Sequence, residues 1–134
     1  MRLGLRNTPF TPTQEYQELD RLVAELTQRG AAVILVNTPE CPLIDDYYDG
    51  DYYRGYRTFF RNLAGRYPGV QFHDLVDSLP AEDFNDLMHI NYVGVITLGP
   101  RYAAMIEHAV RTPAGTLAES EAHVDELPRA GVAP

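Results

Sequence analysis

The stretch Ala31-Ala32-Val33-Ile34-Leu35-Val36 is continuously apolar and rich in β-branched residues, with no alternation between apolar and polar positions. That pattern suits a strand covered on both faces, as strands of a parallel sheet are. Asn37-Thr38-Pro39-Glu40-Cys41-Pro42 follows, and its two prolines force a loop. In an open parallel sheet, loops at the carboxyl ends of strands are where ligands bind. The run therefore sets both a fold class and the edge on which function is expected.

The segments on either side agree. Thr11-Pro12-Thr13-Gln14 carries a helix start, with Thr11 able to cap, Pro12 suited to the first turn and Gln14 completing a capping box. Tyr16, Leu19, Leu22, Val23 and Leu26 then recur at helical spacing, and Gly30 marks the stop. After the loop, Tyr52, Tyr56, Phe59, Phe60, Leu63 and Tyr67 share one face of a second helix, an aromatic stripe expected in the core. Pro68-Gly69 turns the chain into Val70–Leu75, read as a second strand. Strand, helix and strand in this order imply a right-handed parallel crossover. His73 on that strand is expected to pack and receives no catalytic role. A third helical pattern runs from Tyr92 through Val95, Ile96, Tyr102, Ala103, Ile106 and Ala109/Val110, with a break or kink expected near Leu98-Gly99 because Pro100 lies inside it.

The expected architecture is α/β, a partial flavodoxin-like three-layer fold with a short parallel sheet flanked by helices. Residues 1–10 are expected as an N-terminal arm with a stub of strand at Leu3–Leu5. Residues 11–111 form the α/β portion, and 112–134 a flexible tail with a short helix near Leu117–Glu126. A chain of 134 residues is one domain. Two strands make a poor sheet, however, and leave an unpaired edge. That edge is expected to pair with another chain or with the arm around Leu3–Leu5. A net charge of −8 provides no basic stripe for a nucleic-acid backbone or an anionic membrane surface. No apolar run approaches the ~20 residues of a membrane span, and no signal-peptide core opens the chain. Cys41 is alone, which excludes an intrachain disulfide and a cysteine-based zinc site, and compartment is left open.

Ile44-Asp45-Asp46-Tyr47-Tyr48-Asp49-Gly50-Asp51-Tyr52-Tyr53 reads either as a cation or substrate-contacting rim or as a solvated helix N-terminus. Asp45, Asp49 and Gly50 loosely follow a calcium loop, but Tyr47 and Tyr56 occupy positions that need oxygen ligands. The chemistry-bearing stretch is Asp86-Leu87-Met88-His89-Ile90-Asn91-Tyr92-Val93-Gly94. An aspartate three residues before a histidine can accept a hydrogen bond from one imidazole nitrogen, fixing the tautomer and leaving the other nitrogen as a general base. Asn91 can cap the following helix. The plainer reading makes Asp86 and His89 ordinary loop and cap residues. What raises the pair is its place after the second strand, on the same sheet edge as the Asn37–Pro42 loop.

A buried strand ending V-N-T-P, a strand ending F-H-D-L and the element D-x-x-H-I-N-x-x-G before a last helix resemble the C-terminal half of an SGNH/GDSL hydrolase. The nearest likeness is to the divergent bacterial branch of DltD-like and alginate O-acetylation-like proteins. The resemblance covers roughly Thr11–Val110. It implies an ester hydrolase or O-acyltransferase in which Asp86 orients His89 and His89 activates a serine. The family's serine turn and its oxyanion donors have no counterpart here. Asn37 follows the wrong strand to be the family's asparagine, and Ser78 and Ser120 lack a nucleophile-elbow context. A positioned base alone supplies about 10²–10⁴-fold of rate.

The chain is thus expected to be inactive alone and to act, if at all, with a complementing N-terminal half. Cys41, on the loop facing the same edge, is a weak candidate nucleophile in a Cys41–His89–Asp86 relay. The substrate class is a small-molecule or carbohydrate ester, with a homo-oligomer or a complementing half as partner and no cofactor or metal called for. The competing hypothesis is a non-catalytic interaction module in which Asp86 and His89 only tie the last loop to its helix. Metal-dependent hydrolysis through Asp86, His89 and an acidic partner is a third, minor reading.

Overall fold

A computed structural model describes residues 9–47 and 50–112. The expected strand at Leu3–Leu5, Asp49, the helix near Leu117–Glu126 and Ser120 lie outside them. The elements run α1 (Gln14–Gln28), β1 (Val33–Asn37), α2 (Gly50–Arg66), β2 (Val70–Asp74) and α3 (Tyr92–Arg111), with short 3-10 turns at Pro42–Tyr47 and Ala81–Asp83. The protein is mixed α/β. β1 and β2 pair in parallel, Val33 opposite Val70 through Asn37 opposite Asp74, with α2 as the crossover.

α1 begins at Gln14, later than the Thr11 cap implies, because Thr13 takes the N-cap position. The Thr13 hydroxyl is spent on the Glu15 carboxylate rather than on a backbone amide. The stop falls where the sequence puts it. Gly30, at φ +79°, donates its N–H to Thr27 (2.9 Å), and Ala31 donates to Leu26 (3.0 Å). These are the paired bonds of a Schellman cap, which needs the left-handed backbone that glycine adopts freely.

Two apolar clusters lie on opposite faces of the sheet. Val23 of α1 and Phe60, Leu63 and Ala64 of α2 close over Val33, Leu35, Val70 and Phe72. Side chains alternate along a strand, so Ile34, Val36, Gln71 and His73 point to the other face. There the charge of His108 on α3 is felt at His73. Cys41, Leu79, Phe84 and Leu98 form the second cluster, on the α3 side. The order helix–sheet–helix follows, as the unbroken apolar strand predicts. Yet Val33–Val36 are only half-buried, because β1 has a neighbour on one side alone among the described residues.

The aromatic stripe of α2 packs as expected. Phe60 stacks on Phe72 (5.5 Å), and Phe10 inserts edge-on between Tyr16 and Tyr56 (5.1 and 5.6 Å). Burial is the main reason the Tyr56 phenol is pushed up to about 12, with the charges of Tyr16 and Glu40 adding to it. Asp20 ties α1 to α2, accepting from the Tyr67 hydroxyl (2.7 Å) and pairing with Arg66 (2.8 Å).

α3 lacks the break that is one of the two outcomes expected of Pro100. It runs unbroken through Pro100. The proline removes the amide that would bond the Ile96 carbonyl, but both residues are exposed, so water can take that bond. The buried stripe is Gly94, Leu98, Met105 and Ala109, with Tyr102 half-buried. Most of the apolar positions that signalled the helix, Val95, Ile96, Ile106 and Val110, are exposed.

Leu63 is fully buried at the centre of the larger cluster. Leu63→Ala is expected to lower stability by about 2–5 kcal/mol, measured by urea unfolding, with an unchanged denaturant slope.

Candidate functional site

The carboxyl ends of the two strands are knotted together. Asn37, the last residue of β1, donates its side-chain amide to Asp74, the last of β2 (3.0 Å). The Arg57 Nε of α2 faces the other Asp74 oxygen at 2.6 Å, and its Nη2 reaches Asp77 at 3.0 Å. The same guanidinium lies over the Tyr53 ring, whose hydroxyl donates to Glu40. The two loops leaving this edge touch, since Glu40 N–H donates to the Val76 carbonyl (3.2 Å). They leave the sheet side by side, as the parallel order requires.

The second loop carries the Asp86–His89 turn, and its geometry follows from its hydrogen bonds. Phe84 and Ile90 form an antiparallel bridge that closes the turn. Asn85 N–H donates to the His89 carbonyl (2.7 Å), and Asn91 N–H to the Asp83 carbonyl (2.8 Å). Within the turn, Asp86 Oδ1 accepts the backbone N–H groups of Met88 (2.7 Å) and His89 (2.8 Å), an Asx-type arrangement. The carboxylate also takes the His89 ring, with Nδ1 2.8 Å from Oδ2 and 3.0 Å from Oδ1.

That contact assigns the proton. An ionised carboxylate only accepts, so neutral His89 holds its hydrogen on Nδ1 and presents the lone pair of Nε2. The Met88 amide, then the His89 ring and the His89 amide, hold the Asp86 carboxyl below its ordinary range. Asp86 thus does both jobs weighed from the sequence, shaping the loop and orienting the imidazole. Both side chains are largely exposed, at 57% and 76%. The pair is preorganised by its backbone bonds rather than by exclusion of water.

Asn91 caps α3 as expected, accepting from Val93 (2.9 Å) and Gly94 (3.1 Å), and its amide anchors the turn to the Glu82 carbonyl (2.6 Å). Gly94 has a packing reason. A Cβ there would lie 2.3 Å from the Ile90 side chain and 2.7 Å from the Asp83 carbonyl oxygen.

Among the described residues, no side chain hydrogen-bonds His89 Nε2. Ser78 donates its hydroxyl to the Leu75 carbonyl (2.6 Å). Cys41 is 2% exposed within the apolar cluster of Leu79, Phe84 and Leu98, an environment that favours an inert thiol. His73, half-buried with its Nε2 3.0 Å from Gln71 Oε1, has its pKa lowered by burial first and by His108 second. It packs, as expected. No three His, Cys, Asp or Glu side chains among the described residues converge as a metal site would require. A shallow cleft of about 470 Å³ between Phe10–Pro12 and α2 is lined in part by Arg54, Thr58 and Asn62, and neither Asp86 nor His89 borders it. The Asn37–Asp74–Arg57 knot is the feature the sequence reading missed, because its members are far apart in the chain and share no motif.

Residues 2–111 match the model of a family of unknown function, and the chain belongs to that family. An uncharacterised protein of Leptospira interrogans serogroup Icterohaemorrhagiae serovar Lai (strain 56601) is 31% identical over 103 residues. The alignment takes in 76% of this chain and 19% of the relative, so the chain spans about a fifth of that protein's length. No solved structure matches the chain at a significant level.

A lowered carboxyl pKa stabilises the turn fully above the ordinary aspartate range, and this is lost as pH falls through the lowered value. Carboxyl NMR titration is expected to find Asp86 below the ordinary aspartate pKa, with the His89 ring signals responding in the same acidic step. Gly94→Ala is expected to destabilise the fold by about 1–3 kcal/mol through overpacking, and to broaden the amide signals of residues 85–91.

Proposed function

We propose that this chain is the acid–base portion of an ester hydrolase or O-acyltransferase of SGNH type, with Asp86 orienting His89 and His89 Nε2 acting as general base. One observation carries the reading: the Asp86 carboxylate holds Nδ1 at 2.8 Å and leaves Nε2 open to an incoming hydroxyl. The D-x-x-H-I-N-x-x-G resemblance supports it. In the reaction, the base takes a proton from a serine hydroxyl as that oxygen attacks an ester carbonyl, and the imidazolium formed is stabilised by Asp86. The proton then passes to the departing alkoxide. Neither the serine nor the oxyanion donors are among the described residues, so a second polypeptide segment supplies them. The substrate class is a small-molecule or carbohydrate ester.

A second reading is a non-catalytic interaction module. The exposure of the pair and the engagement of Ser78 favour it. On this reading Asp86 and His89 serve only to close the turn ahead of α3. No helix among the described residues is long and apolar enough to cross a membrane, which bears equally on both readings.

The test is hydrolysis of p-nitrophenyl acetate by the chain alone and after mixing with the remaining portion of the Leptospira relative, expressed separately. The mixture is expected to turn over, and the chain alone to stay near background. His89→Ala is expected to cut the mixture's kcat/KM by about 10²–10⁴-fold, with an unchanged circular dichroism spectrum. Hydrolysis unaffected by His89→Ala, or none in any mixture, selects the interaction module.

A further inference from the structure

The Asp86–His89 turn closes on a short antiparallel ribbon whose register is read from its bonds. Asn85 N–H donates to the His89 carbonyl (2.7 Å) and Asn91 N–H to the Asp83 carbonyl (2.8 Å), which brackets Phe84 and Ile90 as a directly opposed pair. One step nearer the tip, Asn85 stands opposite His89. Side chains alternate along such a ribbon, so Asn85 and His89 share the face that Phe84 and Ile90 do not. Burial follows the same alternation. Phe84 is buried and Ile90 half-buried with the cluster of Cys41, Leu79 and Leu98, whereas Asn85 and His89 are exposed. Directly opposed residues carry their Cβ atoms about 4.5–5.5 Å apart. The Asn85 carboxamide therefore stands beside the imidazole on the solvent side of the turn.

The other polar side chains of the turn are already spent. The Asp86 carboxylate accepts from two backbone amides and from the His89 ring. Asn91 uses both ends of its side chain, accepting from Val93 and Gly94 and donating to the Glu82 carbonyl. Leu87 and Met88, at the tip, bring apolar side chains. Two polar groups of residues 85–91 are left without a side-chain or backbone partner among the described residues, His89 Nε2 and the Asn85 carboxamide. An exposed asparagine on a loop is ordinary in itself. Here the register sets it next to the one open nitrogen of an oriented imidazole.

We propose that Asn85 is a substrate-binding residue of the same site, selecting an ester whose alcohol carries a second, uncharged hydroxyl on the carbon next to the esterified one. Glycerol and sugar esters are of this class. The proposal rests on the acid–base reading of His89 given above. On that reading the alcohol oxygen comes within hydrogen-bond reach of Nε2, to take its proton as the bond to the acyl carbon breaks. A hydroxyl on the adjacent carbon then spans the gap from the imidazole to the carboxamide. A carboxamide offers both a donor and an acceptor, and a hydroxyl is both, so the two bond in either sense. A simple alkyl alcohol leaves the carboxamide with no ligand partner. An anionic alcohol is disfavoured by the adjacent Asp86 carboxylate and by the net charge of −8.

NMR of the full 134-residue chain tests this. Nuclear Overhauser contacts between the Asn85 side-chain amide and the His89 ring protons are expected, and their absence overturns the placement. Titration with glycerol 1-monoacetate is expected to shift the Asn85 side-chain amide and the His89 ring signals together. Ethyl acetate, which has no hydroxyl, is expected to move neither. Asn85→Ala changes only an exposed side chain and is expected to weaken the apparent affinity for the glycerol ester, read at the His89 ring, by about 3–10-fold with an unchanged circular dichroism spectrum. Equal responses to the two esters, no response to either, or an affinity indifferent to Asn85→Ala each overturns the proposal. None of these measurements needs turnover. Failure of p-nitrophenyl acetate hydrolysis in every mixture therefore strikes the acid–base reading alone, and the ester titration strikes the Asn85 assignment alone.

Discussion

Asp74 is the hinge on which the architecture turns. A two-stranded parallel sheet has ten residues with which to organise three helices, and its strands are too short for backbone bonds alone to hold the register firmly. The carboxylate at the end of β2 takes the Asn37 amide from β1 and the Arg57 guanidinium from α2, so one side chain joins both strands to the crossover helix. Arg57 continues to Asp77, at the start of the long loop. Asp74 is hydrogen-bonded by Asn37 and ion-paired with Arg57, whose Nε is buried with no other partner, so removing the carboxylate leaves that guanidinium nitrogen uncompensated. The position of everything downstream, including the Asp86–His89 turn, is measured from that knot.

The turn shows how little machinery is needed to orient an imidazole. Five residues, one aspartate and an antiparallel bridge place a carboxylate against Nδ1 without burying either group. A site designed to stabilise charge would exclude water, since low dielectric strengthens each contact. Here both side chains face solvent, so the contact is held by backbone bonds rather than by a dry pocket.

The sequence made some of this legible and hid the rest for identifiable reasons. Helices α1 and α2, both strands and the Asn91 cap follow from periodicity and from residues whose effect is local. Asp86 and His89 were legible because their partner is three positions away. Of the break or kink expected at Pro100, the break does not occur, because the Ile96 carbonyl left without an amide partner lies on an exposed residue where water reaches it. The α3 pattern gave the helix but not its buried face, since two apolar stripes in one helix cannot be told apart until one is seen packed. The Asn37–Asp74 pair spans 37 residues and is made by tertiary structure alone.

The division of the core into two clusters has a consequence for how the molecule opens. The larger cluster draws on residues 16–72, a nearly contiguous segment, while the smaller one binds the loops and α3 to it with few large side chains. Cooperative units of a fold open separately when few apolar contacts join them. On that principle the segment from Leu75 to Arg111 is expected to open as a unit while α1, β1, α2 and β2 stay formed. Amide protons in α3 would then exchange by this partial opening, well ahead of those in α2, and the imidazole would travel with the unit that leaves.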